Sequence, residues 1–511
     1  MSTIITVPEE AAGQNLLHYL RSKSIDLPAA CGGRGVCGKC KVRLLSGELS
    51  LKPDPDGFIL ACQVFCTEKG AVISVPDSDG TGLTDFASDG SQAAIAGVAD
   101  PVGSGESADL SAAARLGAAL DIGTTTLAMA LVDHDSGKVL RTVSALNPQR
   151  SYGADVMTRI TSAKQGNLQN LQTVLLKSIR ALLLQLTEGL AGDTSPELLI
   201  ATGNTTMLHL FLGISPEGMG QYPFTPAFTD IQTRTGDELG LPVGKVLTMP
   251  CASAFIGADI VGGALVSGFE ETDDTPRLLL DIGTNGEMIL SANGKLYAAS
   301  TAAGPALEGT NISCGVGGIP GAVDHVSLTM CDGRQAVSYT TIQGKEPIGL
   351  CGCGLIDLCA LLLLTGKLDM TGRLASPYTI PGTPVTLDQA DIRQVQLAKS
   401  AIAAGILALA DSAGITPDKI LRTEIAGGLG FYLNTQSAFA IGLLPPDLGR
   451  NIESIGNSAL HSACVCLTDP AKLESARQIA SACKVIELNL SPVFNEAFID
   501  NMLFGNEEDE E

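Results

Sequence analysis

The sequence predicts a multidomain chain of mixed α+β and α/β class: a small cysteine-bearing module, a spacer, and a larger body containing one fold twice. Three observations carry that prediction. Cys31, Cys37, Cys40 and Cys62 fall on a glycine-rich loop and its return within the first module. Residues 77–115 shift in composition toward Ser, Gly, Ala and Asp, without a Lys. The motif Leu120-Asp-Ile-Gly-Thr-Thr-Thr126 returns as Leu280-Asp-Ile-Gly-Thr-Asn-Gly286, again between apolar segments.

Residues 2–7 read as a strand, 14–23 as a helix carrying Leu16, Leu17 and Leu20, and 41–45 and 71–75 as further strands. That β-helix-loop-β order makes 1–76 one compact module. Residues 77–115 show no sustained periodicity and read as a flexible linker with a reach of about 5–6 Å times the square root of the residue number. A tether of that kind lets the module visit more than one position; a passive spacer is the equal alternative. From 116 onward strands and helices alternate. In the first copy of the repeat a strand enters at Ala118, turns at Gly123, leaves through 127–132 and is followed by 139–144. In the second copy 278–280 enters, 288–290 leaves and 296–300 follows. One strand-turn-strand-turn-strand unit occurring twice implies a duplication, divided here into 116–270 and 271–511.

The 511 residues are 45% apolar, enough for cores in about two to four domains. Acidic residues outnumber basic ones 55 to 32, and the net charge of −23 argues against nucleic acid and anionic membranes as partners. Residues 1–30 lack the pattern of a leader, and the densest apolar run, 358–364, is far too short to span a bilayer. A cytoplasmic location is expected, where most of the 14 cysteines are thiols or metal ligands rather than disulfides. With no Trp, little base-stacking surface exists.

The cysteine spacing is Cys31-x5-Cys37-x2-Cys40, then Cys62 after a longer gap. Four thiolates around two irons need three ligands on one tight loop and a fourth from elsewhere. Gly32, Gly33, Gly35 and Gly38 suit such a loop, because they free backbone N–H groups to face the sulfurs. A [2Fe–2S] cluster is the expected occupant. The spacing departs from the plant type but resembles ferredoxin-like loops with x5. A structural zinc ion is the main rival, disfavoured because Cys31 and Cys62 stand outside paired Cys-x2-Cys knuckles. Cys66 needs no role beyond packing.

Asp121 and Asp281 each end an apolar strand and begin a glycine turn. Gly123 and Gly283 open those turns to anions. Thr124, Thr125, Thr126 and Thr284 add hydroxyl donors, with Asn285 and Gly286 completing the second loop. A carboxylate at each strand end suits Mg²⁺, directly or through water, so two opposed loops form a clamp for a triphosphate. Gly427, Gly428 and Gly430 follow an apolar strand over 420–425 and would let a flat base approach the backbone. No Walker A sequence is present.

In the order Asp loop, Asp loop, Gly-Gly loop, residues 116–467 resemble the acetate and sugar kinase/Hsp70/actin ATPase superfamily. That resemblance implies a duplicated actin-like (ribonuclease H-like) body with ATP in its cleft. Further segments narrow the family: Tyr152-Gly-Ala-Asp-Val156, Gly203-Asn-Thr-Thr-Met207, Phe255-Ile-Gly-Ala-Asp259, Ala303-Gly-Pro-Ala-Leu-Glu-Gly309, Gly352-Cys-Gly-Leu-Ile-Asp357 and Gly456-Asn-Ser-Ala-Leu460. With a β-grasp ferredoxin-like module in front, the set resembles the reductive activators of corrinoid-dependent enzymes. One departure is expected: longer members carry a middle domain, whereas here the linker runs almost directly into the Asp121 strand. The resemblance implies one-electron return of a corrinoid from cobalt(II) to cobalt(I), assisted by ATP. It also implies two partners, a corrinoid protein of a methyltransferase system and a low-potential electron donor. Asp121 and Asp281 are then the residues for Mg²⁺ and phosphate geometry. Glu287 reads either as the group orienting the attacking water or as a surface residue. A ferredoxin-fused small-molecule kinase and a nucleotide sensor without turnover are the alternatives. The oligomeric state stays open, a homodimer among the options.

Several signals are discounted. Cys351-x-Cys353 and Cys464-x-Cys466, with Cys314, Cys359 and Cys483, read as buried thiols rather than a second metal centre. His209 reads as a structural histidine and His325 as a loop histidine. The segment 303–309, with 310–314, is a weak candidate for a corrinoid-facing loop. The acidic tail 507–511 reads as a solvated end.

Overall fold

The structure, a computed structural model, describes residues 2–23, 25, 27, 40–76, 115–190, 195–271, 275–331 and 334–505. Cys31, Cys37, nearly all of the proposed linker and the acidic tail lie outside these residues.

The first module forms one antiparallel sheet from β1 (Ser2–Val7), β2 (Lys41–Leu49), β3 (Phe58–Leu60) and β4 (Cys66–Pro76), in the order β1-β4-β2-β3. The helix Leu16–Ser22 begins where the Asn15 side chain accepts from the N–H groups of Leu17 and His18. Leu16, Leu17 and Leu20 lie on its buried face and pack with Val42, Val64 and Ile73. This is the β-grasp ferredoxin-like arrangement that the sequence predicts.

In the body, the first six-stranded sheet comprises β5 (Leu116–Ile122), β6 (Thr126–Asp133), β7 (Val139–Leu146), β8 (Leu198–Gly203), β9 (Thr233–Thr235) and β10 (Lys245–Thr248). Its order is β7-β6-β5-β8-β10-β9. The next strands are β11 (Arg277–Ile282), β12 (Gly286–Ala292) and β13 (Lys295–Thr301). After them come β14 (Ala322–Cys331), β15 (Arg334–Thr341) and β16 (Gly349–Leu350), a separate three-stranded sheet, and the ribbon β17 (Tyr378–Thr379) and β18 (Thr386–Leu387). The second large sheet then closes with β19 (Arg422–Ala426), β20 (Ile452–Gly456) and β21 (Cys483–Val485), in the order β20-β19-β11-β12-β13-β21.

Both large sheets share one plan. An antiparallel meander of three strands pairs its first strand with a later parallel strand, β8 in one case and β19 in the other. The duplication read from the two Asp-Ile-Gly-Thr motifs is therefore a duplication of topology. Each central strand is apolar because both its faces are covered: residues 116–120 and 278–280 are buried.

The two cores do not divide along the chain as cleanly as the sheets. The helix Ser458–Thr468 follows β20, yet Leu460, Ala463, Cys464 and Leu467 join the core of the first sheet beside Leu120, Leu199 and Val261. It crosses the helix Ala258–Val266 closely: a Cβ on Gly262 would lie 2.1 Å from Ser462 Oγ. In the second half, the helix Gln389–Ala413 corrects the expectation that no segment is apolar enough to span a bilayer. Its 25 residues suffice by length and composition, but 78% of its most apolar window is buried inside the protein. Interior packing against the second sheet explains its character.

Candidate functional site

The first glycine loop is held from behind. Asn147 Nδ2 donates to the Gly123 carbonyl at 2.8 Å, Arg159 Nη2 to that of Thr124 at 2.6 Å, and the Asn147 N–H to that of Thr125 at 2.8 Å. Three successive carbonyls are thus committed to the protein, which favours presentation of the loop N–H groups to an anion. Asn204, the N-cap of the helix Thr205–Leu212, donates to Thr124 Oγ1 at 3.0 Å and accepts from the Met207 N–H. Arg159 is fully buried, and its Nε also donates to the Gly153 carbonyl at 2.9 Å. Burial lowers its pKa to about 9, opposed by the charges of Asp155 and Glu308. Replacing Arg159 by Met orphans the carbonyls of Thr124 and Gly153, at about 1–3 kcal/mol each. Denaturant unfolding is expected to show that loss; wild-type stability in the variant would mean the loop is held by other contacts.

Four carboxylates gather around the strand ends. Asp121 ends β5 and accepts from Asn457 Nδ2 at 2.9 Å, where Asn457 caps the helix Ser458–Thr468. Asp281 and Glu287 sit directly opposite one another in the β11–β12 ladder, which puts their side chains on one face of the sheet. Asp259, in the first turn of the helix Ala258–Val266, hydrogen-bonds with Glu287. Gly427, with φ +82°, passes so close to Asp281 that a Cβ there would lie 2.7 Å from Oδ1.

Depth within the protein raises Asp121, Asp259 and Asp281 to about 7, although each keeps some surface open. Burial first, then the charges of Asp259 and Asp281, push Glu287 well above the usual carboxylate range. Between 3.8 and about 7 the folded protein holds protons that the unfolded chain has released. Stability therefore falls as pH rises through that window, and the full penalty stands above it. A cation relieves the penalty only when the carboxylates are ionised. The thermal upshift on adding Mg²⁺ with ATP is expected to be larger at about pH 8 than at about pH 6. A smaller upshift at the higher pH would show that these carboxylates do not face the metal–nucleotide complex.

Glu308 joins the two loops. Its Oε1 accepts from the Thr284 N–H at 2.8 Å, and its Oε2 from the hydroxyls of Thr284 at 3.0 Å and Thr125 at 2.7 Å. The segment read as a candidate corrinoid-facing loop thus turns its carboxylate into the cleft, while Ala303, Ala306 and Leu307 are buried.

The other candidates fall into place unevenly. The Asn285 carbonyl accepts from the Gly283 N–H at 3.0 Å and tightens the second turn, and Thr126 and Gly286 open β6 and β12. Gly427, Gly428 and Gly430 open the helix Gly427–Tyr432, with Gly430 packed against Ile425. Internal packing accounts for Gly427 and Gly430. Glu287 is buried rather than a surface residue. Among the described residues, no three carboxylate, imidazole or thiol groups converge closely enough to hold an ion unaided. Phosphate oxygens would have to complete any Mg²⁺ shell built on Asp121 or Asp281.

In the first module, Cys40 and Cys62 are buried with their sulfurs 3.3 Å apart. The strand β2 starts directly after Cys40, and the turn Ala61–Gln63 after β3 carries Cys62, so the sheet brings the pair together. Two thiols converging in one buried spot fit the ligand set of a cluster. Cys66 is buried and its thiol pKa is raised by burial, in keeping with packing alone.

His209 is a satisfied structural residue. Its Nδ1 bonds the Thr205 carbonyl at 2.7 Å, its Nε2 accepts from the Ala227 N–H at 3.1 Å, and it stacks on Phe228. His325 lies in β14 rather than a loop, and its Nδ1 meets Asp357 Oδ2 at 3.0 Å. Cys464 and Cys466 are buried thiols pushed up to about 12 by burial. Cys351 and Cys353 hydrogen-bond one another at the start of the helix Gly352–Leu364.

Fold and site define a class: an iron–sulfur ferredoxin module fused to a two-lobed ATPase-type body with an acidic, threonine-rich cleft. Residues 4–67 match the 2Fe-2S iron-sulfur cluster binding domain, 116–272 the RACo middle region, and 275–511 the C-terminal domain of RACo, the ASKHA domain. The chain is 32% identical to the corrinoid activation enzyme RamQ of Eubacterium limosum, over 76% of this chain and 70% of that one. It is 25% identical to the [Co(II) methylated amine-specific corrinoid protein] reductase of Methanosarcina barkeri, over 75% and 76%. The solved structure of a reductive activator for corrinoid,iron-sulfur protein superposes with a TM-score of 0.70 at 28% identity, covering 98% of this chain and 96% of that one. This chain belongs to the RACo-type family of reductive activators. The middle region, expected to be missing, is present: it is the stretch carrying the first Asp loop.

Proposed function

We propose that this protein is an ATP-dependent activator that returns the cobalt(II) corrinoid of a methyltransferase-system protein to cobalt(I). The observation that carries this reading is the pairing, in one chain, of convergent cluster thiols with a duplicated phosphate cleft. Cys40 and Cys62, with Cys31 and Cys37, would hold a [2Fe–2S] cluster that supplies one-electron chemistry near roughly −400 mV. A low-potential donor must refill it. Reduction to cobalt(I) is uphill for such a carrier. ATP helps only if its binding and hydrolysis change affinity for the corrinoid partner or the ligation of its cobalt.

Within the cleft, Thr124, Thr125 and Thr284 offer hydroxyls to phosphate, and Asp121 and Asp281 face Mg²⁺. The Asp259–Glu287 pair, hydrogen-bonded to one another, would orient water and accept its proton.

The test monitors loss of the cobalt(II) spectrum of candidate corrinoid proteins with ATP and a low-potential reductant. ATP-dependent appearance of cobalt(I) is the expected result. Rapid phosphorylation of a metabolite without any corrinoid protein would instead identify a kinase. ATP binding without hydrolysis in the presence of a corrinoid protein would identify a nucleotide sensor.

A further inference from the structure

Glu308 bridges the two strand-end loops. Three donors converge on its carboxylate: one backbone N–H and one hydroxyl from the second loop, and one hydroxyl from the first. A terminal phosphate would recruit that same kind of set, hydroxyls and a loop N–H presented from two sides of a cleft. Carboxylate and phosphate share their sign of charge and their acceptor-only character. The buried Arg159 guanidinium lies behind the first loop, donating to the Thr124 carbonyl. The Asp281 and Glu308 charges oppose one another. Two anions cannot sit at one set of donors, and a phosphate arriving there must displace the side chain.

Resting on the nucleotide reading of this cleft, we propose that Glu308 is a built-in phosphate surrogate: it clasps the two loops in the nucleotide-free protein and is expelled by the terminal phosphate of ATP. Expulsion frees the turn Pro305–Glu308 and the segment C-terminal to it. Five residues on, Ser313 is tied to Asp391, its N–H to Oδ1 and its hydroxyl to Oδ2, both at 2.6 Å. Asp391 belongs to the capping box of the long helix Gln389–Ala413, so movement of the turn is transmitted to the first turn of that helix. The clasp thereby links phosphate arrival to a buried helix of the second lobe.

The test measures Mg²⁺–ATP affinity of the full-length protein by calorimetry, for wild type, Glu308→Ala and Glu308→Gln. A clasp closed about 90–99% of the time weakens apparent affinity about 10- to 100-fold, and Glu308→Ala is expected to recover that factor. Glu308→Gln keeps the size but not the charge and is expected to fall between. Thermal unfolding and the visible spectrum of the first module report on folding of each variant. Unchanged or weaker ATP binding in both folded variants overturns the clasp, as does a collapse of kcat at unchanged affinity, which would make Glu308 a catalytic group. If wild type itself binds no ATP, the nucleotide reading has failed rather than the clasp alone.

Discussion

Asp121→Asn and Asp281→Asn are each expected to lower ATP turnover by roughly 10²–10³-fold while leaving the visible spectrum of the first module unchanged. The substitution keeps size and hydrogen-bonding reach but removes the charge proposed to face Mg²⁺. Asp121 is oriented by Asn457 and Asp281 lies against Gly427, so neither side chain has much freedom to compensate. Neutralising one carboxylate also relieves its neighbours, because burial and mutual repulsion already hold them near 7. The variants should therefore be at least as stable as wild type above about pH 7. Reduced turnover in a more stable protein separates loss of the metal face from misfolding. Normal turnover in both variants, measured with the corrinoid partner present, would move the ATP site elsewhere.

Cys40→Ala and Cys62→Ala are expected to abolish cobalt reduction altogether and to leave ATP hydrolysis within about twofold of wild type. Both sulfurs belong to the core of a module only about 75 residues long, where a cluster that ties loop to sheet contributes a large share of stability. The visible absorption bands should vanish with either change. Elemental analysis of the wild-type protein is the companion measurement, since iron and sulfide are expected. Zinc without iron would return the module to the rival reading, and cobalt reduction by a cluster-free variant would take the module out of the electron path.

The fold is legible in the sequence because its signals are local. A repeated seven-residue motif between apolar strands predicts two meanders, and the meanders appear with matching order. The cysteine spacing brings Cys40 and Cys62 into one ligand set, and the structure converges them. Much of the cleft is not legible, because its residues meet only after folding. Asn457 reaches Asp121 across 336 positions, and Thr125 reaches Glu308 across 183. Nothing near Asn147 or Arg159 announces that they restrain a loop more than twenty residues earlier. Asp259 is visible as part of a family segment, but its partnership with Glu287 depends on a helix start facing a strand. For Glu308 the signal is the motif around Gly309, which by sequence alone suggests a partner-facing loop rather than a cleft residue.

The helix Ser458–Thr468 leaves the second sheet and completes the core of the first. Chain order and physical unit therefore disagree, and the body is interlaced rather than modular. A fragment ending near residue 270 would lack Leu460, Ala463, Cys464 and Leu467, which complete the core of the first sheet. Any rotation of one lobe against the other must also drag or shear this helix. Its N-terminal Asn457 holds Asp121, so the proposed cleft floor and the joint of the molecule are mechanically one object.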